Sequence, residues 1–252
     1  RGGDVDYDRA GQGYAAARRT DPRIEALVHR ALGDARSVLN VGAGAGSYEP
    51  TDREVTAVEP SAVMRAQRPA HLSPAIDAVA ESLPFPDKSF DAGMAMVTVH
   101  QWADKAKGLR EMRRVVRGPI VVLTFDGDAM DCFWLADYVP EMIAAERGRM
   151  PAIAAIGEAL GGRVESPVVP IPRDCVDGFT EAYYARPERF LDPEVRRGQS
   201  AWRFVTDEVQ ARFARDLERD LGSGDWDRRY GEWRAMPVFE GSLRLVVSRP
   251  SA

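Results

Sequence analysis

The sequence predicts an α/β protein built on a doubly wound, mostly parallel sheet. Between residues 35 and 125, short apolar segments alternate with segments of helical periodicity, a pattern typical of βαβ units. The segment at residues 120–124 is apolar throughout, as expected for a strand covered by helices on both sides. A glycine-rich stretch directly follows the first predicted strand, where folds of this class bind ligands.

The elements of the first half have local signals. Asp21 and Pro22 begin a helix whose apolar residues recur at helical spacing until Gly33. Residues 37–41 and 55–58 are the first two strands. Ser61 is an N-cap for the helix that follows the second strand.

The second half continues and then loses this alternation. A strand is predicted from Ala92 to Val97, and a helix follows with apolar residues between Leu109 and Val116. Residues 178–236 are rich in aromatic and charged side chains, which favours a cap inserted over the carboxyl edge of the sheet. Residues 243–247 are a late apolar strand, suited to an antiparallel edge.

The bulk composition is that of an ordinary soluble protein of 252 residues. A net charge of −5 argues against a nucleic-acid surface, because phosphate binding needs clustered positive charge. Cys132 and Cys175 lack metal or redox spacing, which favours free thiols in a reducing compartment. No apolar run approaches the length of a membrane span. We therefore expect a cytoplasmic protein, monomeric or homodimeric, with no membrane or nucleic-acid partner and no metal.

The strongest chemical signal combines a glycine turn with an acidic residue. Gly42, Gly44 and Gly46 follow the first strand, and Glu59 ends the second. Glycines there let the backbone approach a ligand, and a carboxylate at the second strand end can accept hydrogen bonds from both hydroxyls of a ribose. Nicotinamide dehydrogenases and methyltransferases that use S-adenosylmethionine (SAM) share these features.

Three further motifs separate the two families. Residues 80–91, AESLPFPDKSFD, are followed by VTVHQW at 97–102 and by LREMRRV at 109–115. With the glycine turn, they closely resemble the class I SAM-dependent methyltransferases that include ubiquinone and menaquinone C-methyltransferases. The resemblance covers about residues 35–125 and implies a seven-stranded, Rossmann-like sheet, SAM as cofactor and S-adenosylhomocysteine as product.

The resemblance also implies roles for individual residues. The glycine turn, including Ala43, would line the methionine and ribose portions of SAM, and Glu59, followed by Pro60, would bind the ribose. The remaining cofactor contacts would be Met64 on the adenine face, Ala80 and Glu81 at the adenine edge, and Val97 near the methionine end.

The sequence departs from the family pattern at two positions. Asn40 and Val79 stand where the family usually has Asp. Asn40 can still accept a hydrogen bond from the SAM amine, although without the charge. Residues 14–18 resemble a segment that closes over SAM, which implies cofactor contacts for Tyr14 and for Arg18, whose guanidinium suits a carboxylate. Arg19 and Arg23 are alternatives for the carboxylate contact.

The substrate side rests on weaker signals. His100 follows the fourth strand, beside the methyl group by family analogy, where it is a possible base or only a pocket wall. A set of aromatic residues could form a stacking pocket for a small aromatic or heterocyclic substrate, although each could equally be cap core. These candidates are Trp102, Phe133, Trp134, Tyr138, Tyr184 and Trp202, and Tyr7 of the N-terminal segment is a separate, weaker candidate for the substrate side.

These observations predict an enzyme that methylates an O, N or C atom of a small aromatic or heterocyclic molecule in specialised metabolism. A nicotinamide-dependent oxidoreductase and a non-catalytic SAM-binding domain are the alternatives. The expected organisation is an N-terminal helical lid (1–34), a SAM-binding core (35–125), the rest of the core with a helical excursion (126–177), a cap insertion (178–236) and the final strand (237–252).

Overall fold

The structure is a computed structural model that describes residues 18–251. Its strands are β1 (Ser37–Val41), β2 (Glu54–Val58), β3 (Ala75–Ile76), β4 (Ala92–Met96), β5 (Ile120–Phe125), β6 (Arg163–Glu165), β7 (Ile171–Pro172), β8 (Val238–Phe239) and β9 (Leu243–Arg249). Its helices are α1 (Pro22–Leu32), α2 (Ala62–Ala66), α3 (Lys105–Val115), α4 (Leu135–Tyr138), α5 (Pro140–Arg149), α6 (Ile153–Leu160), α7 (Pro193–Arg197), α8 (Asp207–Ser223), α9 (Asp225–Tyr230) and α10 (Glu232–Ala235).

Seven strands form one sheet in the order β3-β2-β1-β4-β5-β9-β6. All are parallel except β9, which runs antiparallel to both β5 and β6. The predicted doubly wound, mostly parallel sheet of seven strands is therefore confirmed. The strand order reverses between β1 and β4, and the crevice at such a switch point is where open α/β sheets bind their ligands.

The expected position of the last strand was wrong. β9 is antiparallel, as predicted, but it lies between β5 and β6 and not at the edge. Its interior residues are mostly buried, whereas β6 at the edge has the pattern Arg163-Val164-Glu165, with two exposed charges. Such charges suit an edge strand because they discourage pairing with another chain.

Two hydrophobic clusters cover the two faces of the sheet. In β5, Val121 and Leu123 face one cluster together with α1, and Ile120 and Val122 face the other. The second cluster is completed by apolar residues of α3 and α6. Because successive side chains of a strand point to opposite faces, a strand covered on both sides must be apolar throughout.

Two helices that pack on opposite faces of the sheet, α1 and α3, begin at side-chain caps. The Asp21 carboxylate accepts a hydrogen bond from the Arg23 backbone N–H at the start of α1, and Asp104 accepts one from the Lys107 N–H at the start of α3. Each cap satisfies a backbone donor that the helix itself leaves unpaired.

The segment between β6 and β9 forms a cap of helices and a two-stranded β7–β8 ladder. The aromatic residues of the cap belong to the same cluster as α1 and one face of the sheet. The Phe125 ring, at the carboxyl end of β5, lies 5.7 Å from the Phe179 ring of the cap. This contact places the cap over the carboxyl ends of the central strands.

In residues 18–251, no helix combines the length and apolar character that crossing a membrane requires.

Candidate cofactor and substrate site

The turn after β1 has a backbone that favours glycine. Gly42, Gly44 and Gly46 have φ angles of +68°, +52° and +96°, in the region that residues with a Cβ avoid. A Cβ on Gly42 would lie 2.2 Å from the Thr98 hydroxyl, so space also excludes a larger residue there. The backbone N–H groups of Gly42 and Ala43 both donate to the Val58 carbonyl, which fixes the turn against the end of β2.

Glu59 is buried beside this turn. One carboxylate oxygen accepts a hydrogen bond from the Gly44 N–H at 2.9 Å, and the other accepts one from the Ser61 N–H at 2.8 Å. Pro60, between them, has no N–H to donate. Burial raises the pKa of Glu59, although the two backbone hydrogen bonds oppose the shift. Each oxygen keeps acceptor capacity for one further donor.

Asn40, at the end of β1, is held by a buried ion pair. Its side-chain Nδ2 donates to Glu49 at 2.8 Å, and the same carboxylate accepts from Arg68 at 2.8 Å. Both charged side chains are almost fully buried. Because Nδ2 faces the carboxylate, Oδ1 is the acceptor that remains, and it has no hydrogen-bond partner among the described residues. Glu49 was missed because an acidic residue in a loop carries no sequence signal of its own.

The predicted adenine side is assembled around Met64, Ala80 and Glu81. The Met64 methyl group would touch a Cβ on Gly44 at 3.4 Å, so this side chain lies against the glycine turn. Ala80 is buried, and the Glu81 carboxylate accepts a hydrogen bond from the Asp104 N–H. Trp102 is buried against Gly108, so it belongs to this side and does not line the cavity described next.

A cavity of about 420 Å³, counted with its open mouth, lies between the ends of β4 and β5 and the cap. Val97 follows β4 with a φ of +51°, which is strained for a β-branched residue. His100 is 6% exposed and lies in the adjoining 3₁₀ turn. The lining residues are Arg18, Val97, His100, Phe125, Glu146, Met150, Gly178, Phe179, Thr180, Gly198, Gln199, Ser200 and Ala201.

A second, largely apolar cavity of about 370 Å³ adjoins the first and shares Phe125, Glu146 and Thr180 with it. At its wall, Glu181 is almost completely buried and accepts hydrogen bonds from the backbone N–H and hydroxyl of Ser242. Burial raises the pKa of Glu181. The other residues that line this second cavity are Met130, Phe133, Met142 and Ile143.

The expected stacking pocket is instead a packed core. Trp134, Tyr138 and Trp202 are 2%, 8% and 2% exposed, and none of them lines either cavity. The Trp134 indole donates to the Tyr184 carbonyl, and the Tyr138 hydroxyl donates to Asp220. Trp134 and Tyr138 precede β6 and Trp202 lies in the cap, but all three rings belong to one hydrophobic cluster, so their predicted substrate role is corrected to a packing role.

Comparison with known proteins decides the family. A family profile described as a methyltransferase domain matches residues 39–119. The crystal structure of a candidate methyltransferase from an antibiotic biosynthesis pathway of Anabaena variabilis is 31% identical in sequence, with a TM-score of 0.84. The match covers 92% of this chain and 98% of that one. The chain belongs to the class I SAM-dependent methyltransferases.

More distant structures share the fold. They include a candidate sarcosine dimethylglycine methyltransferase from Galdieria sulphuraria, with 14% identity, coverage of 98% of this chain and 99% of that one, and a TM-score of 0.58. The [4+2]-cyclase SpnF matches with 18% identity, coverage of 98% and 94%, and a TM-score of 0.56. A search of curated proteins gave no match.

The methyltransferase uses SAM, and the residues around the glycine turn fit that cofactor chemically. Glu59 offers two carboxylate oxygens to a pair of ribose hydroxyls, and Asn40 Oδ1 is a buried acceptor in need of a donor. The nicotinamide-dependent oxidoreductase that the glycine turn alone left open is therefore set aside. No group of three or more His, Cys, Asp or Glu side chains within residues 18–251 could hold a metal ion.

Arg18 of the methyltransferase forms an ion pair with Asp177 of the cap. Its guanidinium donates to both oxygens of Asp177, at 2.6 and 3.1 Å, and the Tyr48 hydroxyl donates to the same carboxylate at 2.7 Å. Arg18 also lines the first cavity, so its predicted contact with the cofactor carboxylate would have to share or replace Asp177. The other two N-terminal candidates, Tyr7 and Tyr14, lie outside the described residues.

Proposed function

We propose that this methyltransferase moves the SAM methyl group to an O, N or C atom of a small aromatic or heterocyclic molecule bound in the cavity under the cap. The observation that carries the proposal is the position of that cavity, which begins at Val97 and His100 after β4 and continues into an apolar chamber beside Phe125 and Phe133. Small-molecule sites typically combine apolar walls with a few placed polar groups; here the second chamber supplies the apolar walls and the first supplies the polar groups.

The cofactor-binding assignment rests on the geometry of the glycine turn. In this proposal Glu59 accepts the two ribose hydroxyls, and Asn40 Oδ1 accepts a hydrogen bond from the amine of the methionine part. The cofactor can approach the backbone closely at Gly42, Gly44 and Gly46, because these residues have no side chain and adopt positive φ angles. The remaining assigned contacts are Tyr14, Arg18, Ala43, Pro60, Met64, Ala80, Glu81 and Val97.

Methyl transfer does not require a covalent bond between the substrate and a residue of the chain. When bound, SAM would supply an electrophilic methyl group on a sulfonium: as the substrate nucleophile bonds to the methyl carbon, the methyl–sulfur bond would break and S-adenosylhomocysteine would leave. The chain's contribution is to hold the nucleophile in attack geometry and to exclude water, and the cap contact between Phe125 and Phe179 closes one side of the cavity. If the nucleophile carries a proton, His100 is the group on the cavity wall that can accept it.

His100→Ala tests this last role. We expect turnover of a phenol to fall by about 10²- to 10⁴-fold, the usual contribution of a general base, with SAM affinity nearly unchanged. His71→Ala is the matched control because His71 is exposed and lies outside both cavities. Full activity of His100→Ala at every pH would remove the base role and leave His100 as a pocket wall.

Two measurements test the function as a whole. Calorimetric titration with SAM and with NADH should show binding of SAM only. Transfer of labelled methyl from SAM to a panel of phenols and nitrogen heterocycles should then show turnover. The second measurement matters because the same fold occurs in a [4+2]-cyclase, so the fold alone does not fix the reaction. SAM binding without transfer to any acceptor would favour a non-catalytic SAM-binding role.

A place in specialised metabolism is supported by one relative. The Anabaena variabilis protein, 31% identical, is described as coming from an antibiotic biosynthesis pathway. We extend that context to this chain, and a product formed only from specialised metabolites in the acceptor panel would bear it out.

A further inference from the structure

Gln199 is a buried amide on the wall of the cavity that also contains His100. It precedes the 3₁₀ turn Ser200–Phe204 of the cap and is 5% exposed. Nothing in the sequence singles out Gln199, because a glutamine between two helical segments is most often solvated. Its burial beside the reacting end of the cavity raises the question of what its amide binds.

The hydrogen bonds of Gln199 fix the orientation of the amide. Its Oε1 accepts from the Trp202 indole N–H at 3.3 Å and from the Thr180 hydroxyl at 2.8 Å. An indole nitrogen can only donate, so the atom that faces it must be the oxygen. Rotating the amide by 180° would set two donors against each other. Nε2, with its two N–H bonds, is therefore the group that remains.

Nε2 is buried and has no hydrogen-bond partner in the part of the chain that the structure describes. Leaving a buried N–H unpaired is costly, and native proteins almost always satisfy such groups with protein, water or ligand. On the wall of a substrate cavity, the group that satisfies it can belong to the substrate. The amide is then a donor prepared for an acceptor atom on the bound molecule.

The charges around the cavity select the kind of acceptor. The positive charge of Arg18 is paired with Asp177, and the negative charge of Glu146 is paired with Arg149. With both charges compensated, the lining that residues 18–251 provide offers no free cation to balance an anionic group. A neutral acceptor such as a carbonyl oxygen fits this wall better than a carboxylate does.

From the orphaned Nε2 of Gln199 and the neutral lining around it, we infer that the methyl-accepting substrate carries a carbonyl oxygen that docks on this amide. The inference rests on the proposed function and narrows its substrate class to aromatic molecules with a neighbouring carbonyl group. Gln199 thereby determines specificity, and it anchors the substrate while the accepting atom lies within reach of His100.

The test compares two probes, 2-hydroxyacetophenone and 2-ethylphenol, which differ in having or lacking the carbonyl oxygen. With labelled SAM, the wild-type enzyme should prefer the carbonyl compound by at least about 100-fold in kcat/KM, because a site built around a hydrogen bond rejects the analogue that lacks it. Gln199→Glu keeps the oxygen that Trp202 and Thr180 require but removes both donors. Gln199→Met removes the amide without adding charge.

Both variants should lose most of that preference through a higher KM for the carbonyl compound, with 2-ethylphenol changed by no more than a few-fold. Gln210→Glu is the matched control, because the Gln210 amide donates to the Trp202 carbonyl and lies outside the cavity. It should keep the preference even if the protein melts at a lower temperature. SAM affinity should be the same in all four proteins.

Three results would overturn the inference. Equal turnover of both probes by the wild-type enzyme would do so while leaving the methyltransferase function intact. Loss of both probes together in the Gln199 variants would show a structural role. Turnover of neither probe by an enzyme that binds SAM would remove the carbonyl substrate class, and transfer to other phenols or heterocycles would then decide whether the proposed function survives.

Discussion

Glu59 illustrates how one buried side chain can tie cofactor binding to pH. Burial raises its pKa above that of an exposed glutamate, and only the ionised form can accept two hydroxyl hydrogen bonds. An acid with a raised pKa becomes protonated at a higher pH than usual. SAM affinity should therefore begin to fall, as the pH is lowered, before an ordinary carboxylate would lose its charge.

Glu59→Gln should weaken SAM binding by about 1–3 kcal/mol, the usual cost of losing a charged hydrogen-bonding partner, and should flatten its pH dependence. Titration calorimetry between about pH 5 and pH 8 would measure both effects. Glu54→Gln, an exposed residue at the start of β2, is the control and should leave both unchanged. A glutamine variant with wild-type affinity would contradict the ribose assignment.

At the scale of elements, local signals explain which parts were predictable. β1, β2, β4 and β5 are mostly apolar and β1 is followed by glycine, so each could be predicted from a pattern that reflects burial in a parallel sheet. β3 has only two residues, and β6 is mostly charged. Their pairing depends on neighbouring strands and not on their own composition, so the sequence alone did not indicate them.

The aromatic core that Trp134 shares with the rings of the cap leads to a second prediction. Trp134 has ring contacts with Phe133, Tyr138, Phe190, Trp226 and Tyr230. Trp134→Ala should lower the free energy of unfolding by about 3–5 kcal/mol, as for large-to-small changes in a core, while SAM affinity stays the same. Urea unfolding measures the first quantity and calorimetry the second.

Phe204→Ala is the control for Trp134→Ala, because the Phe204 ring is 36% exposed and lies under the Arg149 guanidinium. Phe204→Ala should cost far less stability, because much of the ring is already in contact with water. If Trp134→Ala left stability unchanged and raised the KM for the substrate alone, the packing role would be wrong and the original stacking interpretation would return.

At the scale of the whole molecule, the two halves of the site differ in how far the sequence could predict them. The cofactor half is local: the glycine turn and Glu59 lie within 20 residues of each other along the chain. The substrate half joins distant segments, since Gln199, Glu181 and Asp177 meet residues of the core only through the cap. Aromatic composition suggested the wrong cavity wall, because it cannot distinguish a ring that lines a pocket from one that fills a core.

Asp177 is the residue at which three parts of the molecule meet. Its carboxylate binds Arg18 from the segment before α1 and Tyr48 from the end of the glycine turn, while its own backbone belongs to the cap. Both partners are at least mostly buried. Burial, and then the charge of Asp177, raises the pKa of the Tyr48 hydroxyl, which therefore remains a donor.

Asp177→Asn should lower the free energy of unfolding by about 3–5 kcal/mol, because it removes the negative charge from a buried ion pair with Arg18 and weakens the hydrogen bond from Tyr48. The substitution should also weaken SAM binding, because the Asp177 carboxylate would no longer hold Tyr48, and with it the end of the glycine turn, against the cap. Asp174→Asn is the control: it also pairs with an arginine, Arg23, but at the exposed surface, where ion pairs contribute little. Urea unfolding and calorimetry on both variants separate the two effects. Equal, small losses in both would mean that the Asp177 cluster does not join the cap to the cofactor site.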